Sequence, residues 1–337
     1  MNDLPEGLGE SELRDGLAAW GVADARLEYA PVGFGDYHWT AAGDGDRRWF
    51  VTVADLAHKT HCGVGAEAAF DGLRRAMDTA AALRDEAGLD FVVAPLPDAG
   101  GETLRRLGER YAVSVFPFVD GVAGDFGRAL TPAERAPIID LLAELHRAKP
   151  PSHAPLLRPE LSTRAHLEQG LGELDRPWEG GPYAGPARAL LAEHAPGLRR
   201  RLEEFDRRVA ELDGKAGEPV LTHGEPHPGN LLRLGERLLL VDWDTVGVAE
   251  PERDLWQVAE DAGDLARYAD ATGQAPDPSA LTLHRLRWDL EDLGVYVGQF
   301  RAPHGRTTDT EQAWGFYGGL LRQLTGDAEY GPLGMSG

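Results

Sequence analysis

The sequence predicts an α+β fold of two lobes, with a small β-rich N-terminal lobe over residues 1–118 and a larger, mainly helical C-terminal lobe over residues 119–337. Three observations support this prediction. Strand-like alternation and glycine turns are concentrated before Pro117, helical periodicity dominates after it, and no linker or internal repeat interrupts the chain. A length of 337 residues suits one two-lobed domain or two domains.

The N-terminal lobe is predicted to hold five strands and one long helix. A short helix over residues 10–20 comes first, and residues 27–56 then form three strands separated by a glycine turn and a hairpin at "GDGD". A helix follows from about Gly65 to Ala87, because Gly88 is a typical helix-ending residue. The segments "FVVAPLP" and "YAVSVFPFVDG" are predicted to be the last two strands.

The C-terminal lobe is predicted to be helical apart from one hairpin. The stretch "TPAERAPIIDLLAELHRA" (131–148) begins with a capping box of Thr131 and Glu134. A further helix is predicted to begin at Pro196, because apolar residues follow it at spacings of three and four. A short hairpin through "LLLVDW" precedes the last helices, which extend to about residue 325.

Composition narrows the class of protein. No apolar run approaches the roughly eighteen residues of a membrane span. A single cysteine, Cys62, excludes a disulfide framework and a cysteine-based zinc site. The first residues are acidic and polar, unlike a signal or transit peptide. We therefore expect a cytoplasmic protein without a membrane partner.

The chain is strongly acidic, with a formal net charge of −22. A protein that binds nucleic acid needs clustered basic surface, so we expect no nucleic-acid partner. The negative field has two interpretations that remain open. It attracts a cationic ligand, or it only keeps the protein soluble.

Polar side chains are concentrated in the stretch "LTHGEPHPGNLL" (221–232), which precedes the aspartate-containing strand "LLLVDWDTVG". Phosphoryl transfer requires a carboxylate that orients or deprotonates the attacking hydroxyl, and oxygen ligands for magnesium. Glu225, Asn230 and Asp242 supply these groups at a suitable spacing. Taken singly, each suits a turn or a cap equally well, and only the joint pattern favours chemistry.

This two-part pattern resembles the catalytic segment of the aminoglycoside phosphotransferase and choline kinase-like superfamily. The matching residues are "HGEPHPGNLL" and "LLLVDWDTVGVAEPERDLW", and "RLRWDLEDLGVYVGQF" (285–300) resembles a late helix of its spectinomycin phosphotransferase-type branch. The resemblance implies a protein-kinase-like fold. It also implies transfer of the γ-phosphoryl group of ATP or GTP, with Mg²⁺ as cofactor, to a hydroxyl of a small molecule.

The resemblance implies a role for each matching residue. Glu225 matches the catalytic aspartate, and Asn230 and Asp242 match the magnesium ligands. His223 matches the histidine that braces the catalytic loop, and it is more plausible as a brace than as a base. Asp254 matches a structural aspartate that supports the loop, and Asp244 adds charge near the metal.

The nucleotide is expected to lie between the lobes. "GFGDYHW" places Gly33 and Gly35 in a loop that covers the nucleotide. The segment "VFPFVDG" lies where the family has its hinge, which places Phe116 and Phe118 at the nucleotide. Two glycines by themselves are a weak signal.

Two residues depart from the family pattern. Glu225 stands where the family has aspartate; its basicity is similar, but it reaches about one methylene further. Thr52 stands about where the family has a phosphate-binding lysine. Lys59 is the candidate replacement, with Arg47 and Arg48 as the other nearby cations. These departures keep open a degenerate member that binds nucleotide or a metabolite without transfer.

Other polar residues have structural interpretations. His146 is expected to be a core histidine, His227 a structural residue or a peripheral phosphate contact, and Trp243 a core residue. Glu67 is interpreted as a surface residue rather than a partner of a lysine. A zinc site at "HGEPH" is excluded because Pro226 and Pro228 prevent the helix that such a site needs.

The expected acceptor is an aminoglycoside or aminocyclitol antibiotic or another natural product, and a peptide of a biosynthetic pathway is the next candidate. Asp289, Glu291 and Asp292 are the residues that could line a pocket for a cationic acceptor. A solvated helix face explains the same three residues equally well.

Overall fold

The computed structural model describes residues 1–212 and 217–326 and confirms the α+β class, with a sheet in the N-terminal part and helices in the C-terminal part. The strands are β1 Arg26–Ala30, β2 Tyr37–Ala42, β3 Arg48–Asp55, β4 Arg105–Leu107, β5 Tyr111–Pro117, β6 Val122–Ala123, β7 Val220–Thr222, β8 Leu231–Leu234, β9 Arg237–Leu240 and β10 Gly247–Ala249. The helices are α1 Glu10–Leu17, α2 Ala66–Asp85, α3 Pro132–Arg147, α4 Arg164–Gly172, α5 Ala184–Leu212, α6 Glu252–Leu255, α7 Ala262–Thr272, α8 Pro278–Arg301 and α9 Thr308–Thr325.

The chain forms two compact units. One unit comprises Met1–Leu157 and Pro219–Ala275, and the other comprises the described residues of Arg158–Glu218 and Pro276–Gly337. The first unit therefore holds both the N-terminal sheet and the polar loop, which is residues 223–230. The lobe boundary between residues 118 and 119 stays a prediction.

The N-terminal sheet has five antiparallel strands in the order β1-β2-β3-β5-β4. Alternate side chains of its strands, such as Val51, Val53 and Val113, are fully buried. They pack with Leu13 and Leu17 of α1, so one face of the sheet is covered by apolar residues. Hydrophobic burial stabilises the sheet. The sheet in turn fixes both ends of the glycine loop, which connects β1 to β2 and contains Gly33 and Gly35.

The strand predicted at "FVVAPLP" is wrong. Val92 forms only an isolated bridge with Leu240, and Leu96 donates its backbone N–H to Val115 at 2.7 Å. Pro95 and Pro97 have no N–H to donate, which prevents a continuous ladder. The fifth strand is instead the short β4, which pairs with β5.

The second unit is built from helices around one apolar core. Leu191, Leu286, Leu290 and Tyr317 are fully buried in it. The predicted start at Pro196 is wrong, because α5 begins at Ala184 and continues through the proline. Periodicity identified the helix but not its first turns. The capping box of α3 is confirmed, and Glu134 accepts the backbone N–H of Thr131 at 2.9 Å.

Two small sheets frame the polar loop. β7 pairs with β10, and β8 pairs with β9 in the predicted hairpin and with β6 on its other side. The loop leaves β7 at Thr222 and enters β8 at Leu231, which faces Leu240 at the end of β9. The pairing thus brings the end of the polar loop beside the aspartate turn, which is the segment after β9 that contains Asp242 and Asp244. No helix among residues 1–212 and 217–326 is long and apolar enough to cross a membrane.

Candidate active site

The polar loop turns sharply at Gly224, where φ is +101°. Such a backbone angle favours glycine, because it has no Cβ. A Cβ at this position would also overlap the guanidinium of Arg253. Arg253 donates to the hydroxyl of Thr222 and to the carbonyl of Thr245, each at 2.8 Å. The loop therefore closes tightly against the turn that follows Asp244.

Asp254 anchors the start of the polar loop through hydrogen bonds to its backbone. Its carboxylate accepts the backbone N–H groups of His223 at 2.8 Å and Gly224 at 2.6 Å, and it also accepts Nε2–H of His146 at 3.0 Å. Burial would raise the pKa of Asp254, but the hydrogen bond from His146 and the charge of Arg253 lower it below its ordinary value. The anchor therefore stays ionised, as the support of a loop requires.

His223 is a buried, neutral part of the loop framework. Its Nδ1 accepts the N–H of Glu225 at 3.1 Å, so its Nε2–H donates to the carbonyl of Val241 at 2.9 Å. Burial lowers the pKa of His223 to about 4. Its ring packs edge-on against the fully buried Trp243 at 4.6 Å. This geometry supports a brace rather than a base, although a direct catalytic role for His223 stays a prediction.

Asn230 and Asp242 lie side by side because the N–H of Val241 donates to the carbonyl of Asn230 at 3.0 Å. The side-chain Nδ2 of Asn230 donates to the carbonyl of Glu225 at 3.0 Å, which leaves Oδ1 as the acceptor atom. Asp242 has a φ of +66°, an angle that few residues other than glycine adopt. Strained backbone of this kind is common at functional sites.

Excess negative charge is concentrated around this turn. Burial and the charge of Asp244 raise the pKa of Glu225 to about 7. Crowding by protein atoms, together with the charges of Asp244 and Glu225, raises the pKa of Asp242 well above its ordinary value. Both shifts arise mainly from burial, and the repulsion between these carboxylates adds to it. A cation between them would relieve the repulsion.

The donor set fits magnesium. A carboxylate from Asp242 and the amide Oδ1 of Asn230 are hard oxygen donors, which Mg²⁺ prefers, and the local excess of negative charge favours a divalent cation. Within the part of the chain that the structure describes, no group of three or more His, Cys, Asp or Glu is arranged to hold a metal. Two protein ligands are compatible with Mg²⁺, which usually keeps several waters and binds phosphate as well.

Lys59 reaches this turn from the end of β3. Its Nζ lies 2.6 Å from Oδ2 of Asp244 and 2.9 Å from Oδ2 of Asp36, and the side chain is 8% exposed. Burial would lower the pKa of Lys59, but the charges of Asp244, Asp36 and Asp242 raise it well above its ordinary value. In the opposite direction, Lys59 and His61 outweigh burial and lower the pKa of Asp244.

The two other candidate cations are engaged elsewhere. Arg48 lies over the ring of Phe118 at 4.1 Å and pairs with Asp120 at 3.7 Å, and Arg47 lies over the ring of Trp49 at 5.6 Å. Among the three cations considered from the sequence, the contacts therefore favour Lys59 as the replacement for the missing lysine. That it binds phosphate stays a prediction.

The predicted nucleotide-contacting residues lie on the N-terminal sheet and its first loop. Gly33 and Gly35 both have positive φ, +69° and +105°, so this loop requires glycine at each position. Phe116 lies opposite Phe50 across β5 and β3, and Phe118 stacks under Arg48. The roles of all four residues in nucleotide binding stay predictions.

The remaining sequence-predicted residues have defined places. His227 packs against Phe126 at 4.8 Å, and burial lowers its pKa to about 4. The carboxylate of Glu67 is 89% exposed and pairs with Arg106, as expected of a surface residue. Asp289 is buried and accepts a hydrogen bond from Gln323, whereas Glu291 accepts one from Ser162. Asp289 and Glu291 therefore point to different partners and do not form one surface.

Sequence reasoning missed three residues of the site. Asp36 holds Lys59, His61 lies 3.3 Å from Asp244, and Arg253 closes the loop turn. Arg253 lies beside a recognised aspartate in "PERDLW", which could have suggested its role. Nothing in the spacing of Asp36 or His61 indicates a partner so far away in the chain.

Comparisons with known proteins show the family and the fold of this chain. Residues 33–288, more than half of the chain, match the phosphotransferase enzyme family. The protein StrN of Streptomyces griseus is 31% identical over 257 residues, which cover 69% of this chain and 72% of that protein.

Solved structures share the fold. A spectinomycin phosphotransferase in complex with ADP and spectinomycin has a TM-score of 0.68 at 15% identity, covering 96% of this chain and 100% of that chain. An ethanolamine kinase of Plasmodium vivax has a TM-score of 0.59 at 10% identity, covering 96% of each chain. At these identities the likeness concerns the fold.

Proposed function

Because this chain belongs to the phosphotransferase enzyme family, we propose that it transfers the γ-phosphoryl group of ATP or GTP to a hydroxyl group of a small molecule. This proposal rests on one observation: three groups lie close together around the aspartate turn. They are the Glu225 carboxylate, the Asn230–Asp242 pair and the Lys59 ammonium. Each has a separate task in phosphoryl transfer.

Glu225 is the proton acceptor. The acceptor hydroxyl oxygen forms a bond to the γ-phosphorus, the bond from that phosphorus to the β–γ bridging oxygen breaks, and the hydroxyl proton passes to Glu225. In the metal-free site the pKa of Glu225 is about 7; bound magnesium would lower this pKa, because nearby positive charge favours the ionised carboxylate that accepts the proton. The hydrogen bond from Glu225 N–H to His223 fixes the backbone that carries it.

Asn230 and Asp242 hold magnesium, and Lys59 meets the phosphates. Magnesium supplies charge neutralisation for the nucleotide when it is bound. Lys59 Nζ, fixed 2.6 Å from Asp244 and therefore close to Asp242, contributes a second positive charge to the same place. Gly33 and Gly35 allow the loop before β2 to approach the phosphates closely.

The acceptor is proposed to be a cationic aminocyclitol or aminoglycoside. Two observations support this class: the net charge of −22, which attracts cations, and the shared fold with a spectinomycin phosphotransferase. Asp289 is less suited to acceptor binding than the sequence suggested, because its carboxylate is buried against Gln323. Steering by the overall field is therefore the better-supported part of the argument.

Nucleotide binding is the first test. Calorimetry with ATP and with GTP, each with and without magnesium, should detect magnesium-dependent binding of at least one nucleotide. Asp242→Asn should remove most of the magnesium dependence, whereas Asp90→Asn, a change of an exposed carboxylate, should not. Binding that is indifferent to magnesium in the parent protein would contradict the metal assignment.

Phosphate incorporation is the second test. A panel of aminoglycosides and aminocyclitols should include acceptors that are phosphorylated, with rates that fall at high salt because screening weakens steering. Turnover of neutral acceptors alone would reject the cationic class. Nucleotide binding without incorporation into any acceptor would favour a protein that binds without transfer.

A further inference from the structure

The usual lysine–carboxylate pair of kinases is absent from its usual place in this chain. In kinases a lysine of the third strand contacts the phosphates and is held by a glutamate of the following helix. Here Thr52 of β3 bonds to His38 at 3.2 Å, and Glu67 in the first turn of α2 is exposed and pairs with Arg106 at 2.9 Å. Neither Thr52 nor Glu67 can therefore form that pair.

A second pair lies a short distance along the chain. Lys59 follows β3 by four residues, and Asp36 is the last residue of the glycine loop before β2. Their Nζ and Oδ2 atoms are 2.9 Å apart, and the side chains are 8% and 11% exposed. Such an enclosed ion pair restrains the ammonium group far more than an exposed pair would.

We propose that Asp36 is a positioning residue that holds Lys59 for the nucleotide phosphates, so that a displaced pair replaces the missing one. This inference rests on the proposed function. Asp244 of the aspartate turn contacts the same ammonium group at 2.6 Å. With both contacts in place, Lys59 links the glycine loop to the turn that carries Asp242.

The cost of this arrangement supports a functional role. Oδ1 of Asp36 is buried and has no hydrogen-bond partner among the residues that the structure describes, although a buried carboxylate oxygen is normally satisfied. Burial, offset in part by Lys59, raises the pKa of Asp36 above its ordinary value. A residue selected for stability alone would avoid this cost, whereas a residue that must hold one ammonium group in a cleft accepts it.

Replacing Asp36 by a neutral residue tests whether Asp36 holds Lys59 in position or only adds negative charge to the site. Asp36→Asn removes a negative charge from a site that binds an anion, so a purely electrostatic role predicts tighter nucleotide binding. A positioning role predicts weaker binding, because Lys59 is then held by Asp244 alone. We expect the Kd for magnesium–ADP to rise about ten- to a hundredfold, the range expected for a lost hydrogen bond to a charged group.

A double-mutant cycle tests whether Asp36 acts through Lys59. Lys59→Met should weaken magnesium–ADP binding at least as much as Asp36→Asn, and adding Asp36→Asn to Lys59→Met should cause little further loss. Asp36→Glu, which keeps the carboxylate, should recover part of the affinity. Asp98→Asn is the matched control, since Asp98 is buried and paired with Arg105 in the same unit.

Amine labelling gives a readout that does not depend on nucleotide. The chain has three lysines, Lys59, Lys149 and Lys215, so mass spectrometry can follow each one separately. Lys59 should label slowly in the parent protein and in Asp98→Asn, and faster in folded Asp36→Asn. If Asp36→Asn does not fold, Asp36→Glu is measured in its place, and slow labelling of Lys59 with intermediate affinity is expected.

The outcomes are distinguishable. Weaker binding, a non-additive cycle and faster labelling support the positioning role. Unchanged or tighter binding in Asp36→Asn, or additive losses in the double variant, would overturn it while Lys59→Met still reports on the nucleotide site. If the parent protein binds no nucleotide with magnesium, the proposed function and this inference both fail.

Discussion

The polar loop region and the helical unit bury aspartates in opposite ways. Asp254 lies under the loop and accepts hydrogen bonds from His223, Gly224 and His146, so its pKa is lowered despite complete burial. Asp289 lies in helix α8, where burial outweighs the hydrogen bond from Gln323 and the charge of Arg285, and its pKa rises to about 6. Donors, rather than burial alone, decide whether a carboxylate stays ionised.

The difference extends to how each region is held together. In the loop region, specific hydrogen bonds determine the conformation, and polar side chains such as those of Thr222, His223 and Asn230 donate them to backbone C=O groups. In the helical unit, apolar side chains such as Leu290 and Tyr317 supply the stability. A loop built on donors can hold charged groups for chemistry, whereas an apolar core tolerates an ionised group only at a cost.

The largest expected effect falls on the loop. Glu225→Gln should reduce turnover about a hundred- to ten-thousandfold, the usual contribution of a positioned acid–base group, while magnesium–nucleotide binding is retained. Single-turnover assays at saturating nucleotide measure this effect. Glu67→Gln, which changes an exposed glutamate, is the control and should retain full activity.

Glu225→Asp sharpens the same test. A loop adapted to glutamate should lose activity when the carboxylate is shortened by a methylene, because small errors in position are costly. A gain in activity would mean that the loop is still shaped for aspartate. If the Gln and Asp variants both match the parent protein, Glu225 has no chemical role.

The next effect compares the two kinds of support. Asp254→Asn should cost about 3 to 5 kcal/mol of stability, because it disrupts a buried, charged hydrogen-bond network. Leu290→Ala in the helical unit should cost a similar amount, about 2 to 5 kcal/mol, by leaving a cavity. Urea unfolding measures both. Turnover corrected for the folded fraction should fall only in Asp254→Asn, and an equal fall in both would contradict the proposed division of labour.

Asp289 of the helical unit should make stability depend on pH in the direction opposite to that expected for Asp254, because its pKa is raised rather than lowered. Because the folded-state pKa of Asp289, about 6, exceeds its ordinary value of 3.8, the ionised carboxylate destabilises the fold above pH 6. The penalty, up to about 3 kcal/mol, disappears as the pH falls from 6 towards 4. Asp289→Asn should therefore be more stable than the parent protein at pH 8 and similar to it near pH 4.

Urea unfolding across this pH range checks the expectation for Asp289. Glu203→Gln, a change of an exposed carboxylate in the same unit, should follow the parent profile. Parallel profiles for the parent protein and Asp289→Asn would show that the buried carboxylate carries no such penalty.

The smallest effect concerns glycine. Gly315 lies inside α9, is exposed and has open space where a Cβ would be, so Gly315→Ala should stabilise the protein by about 1 kcal/mol. Gly224→Ala should destabilise the loop instead, because φ is +101° and the Cβ would overlap Arg253. Thermal unfolding of both variants measures the contrast, and a stabilised Gly224→Ala would contradict the account of the loop turn.

The sequence by itself determined the fold class, the helices with strong periodicity and the position of the candidate catalytic motif. These features are readable because they depend on local spacing: α3 follows its capping box, and Glu225, Asn230 and Asp242 lie within one short segment. Local patterns failed where tertiary contacts or proline chemistry decide, as at "FVVAPLP" and at the start of α5. The metal and base roles of the motif are predictions that the biochemical tests above address.

Only the tertiary structure decided which of the candidate cations contacts the aspartate turn. Lys59 contacts Asp36, 23 residues away, and Asp244, 185 residues away. No local pattern encodes these contacts, since they depend on how β3 and its following turn pack against the aspartate turn. The same holds for the pKa values of Glu225 and Asp289, which depend on burial and on the charges and donors that folding brings near them.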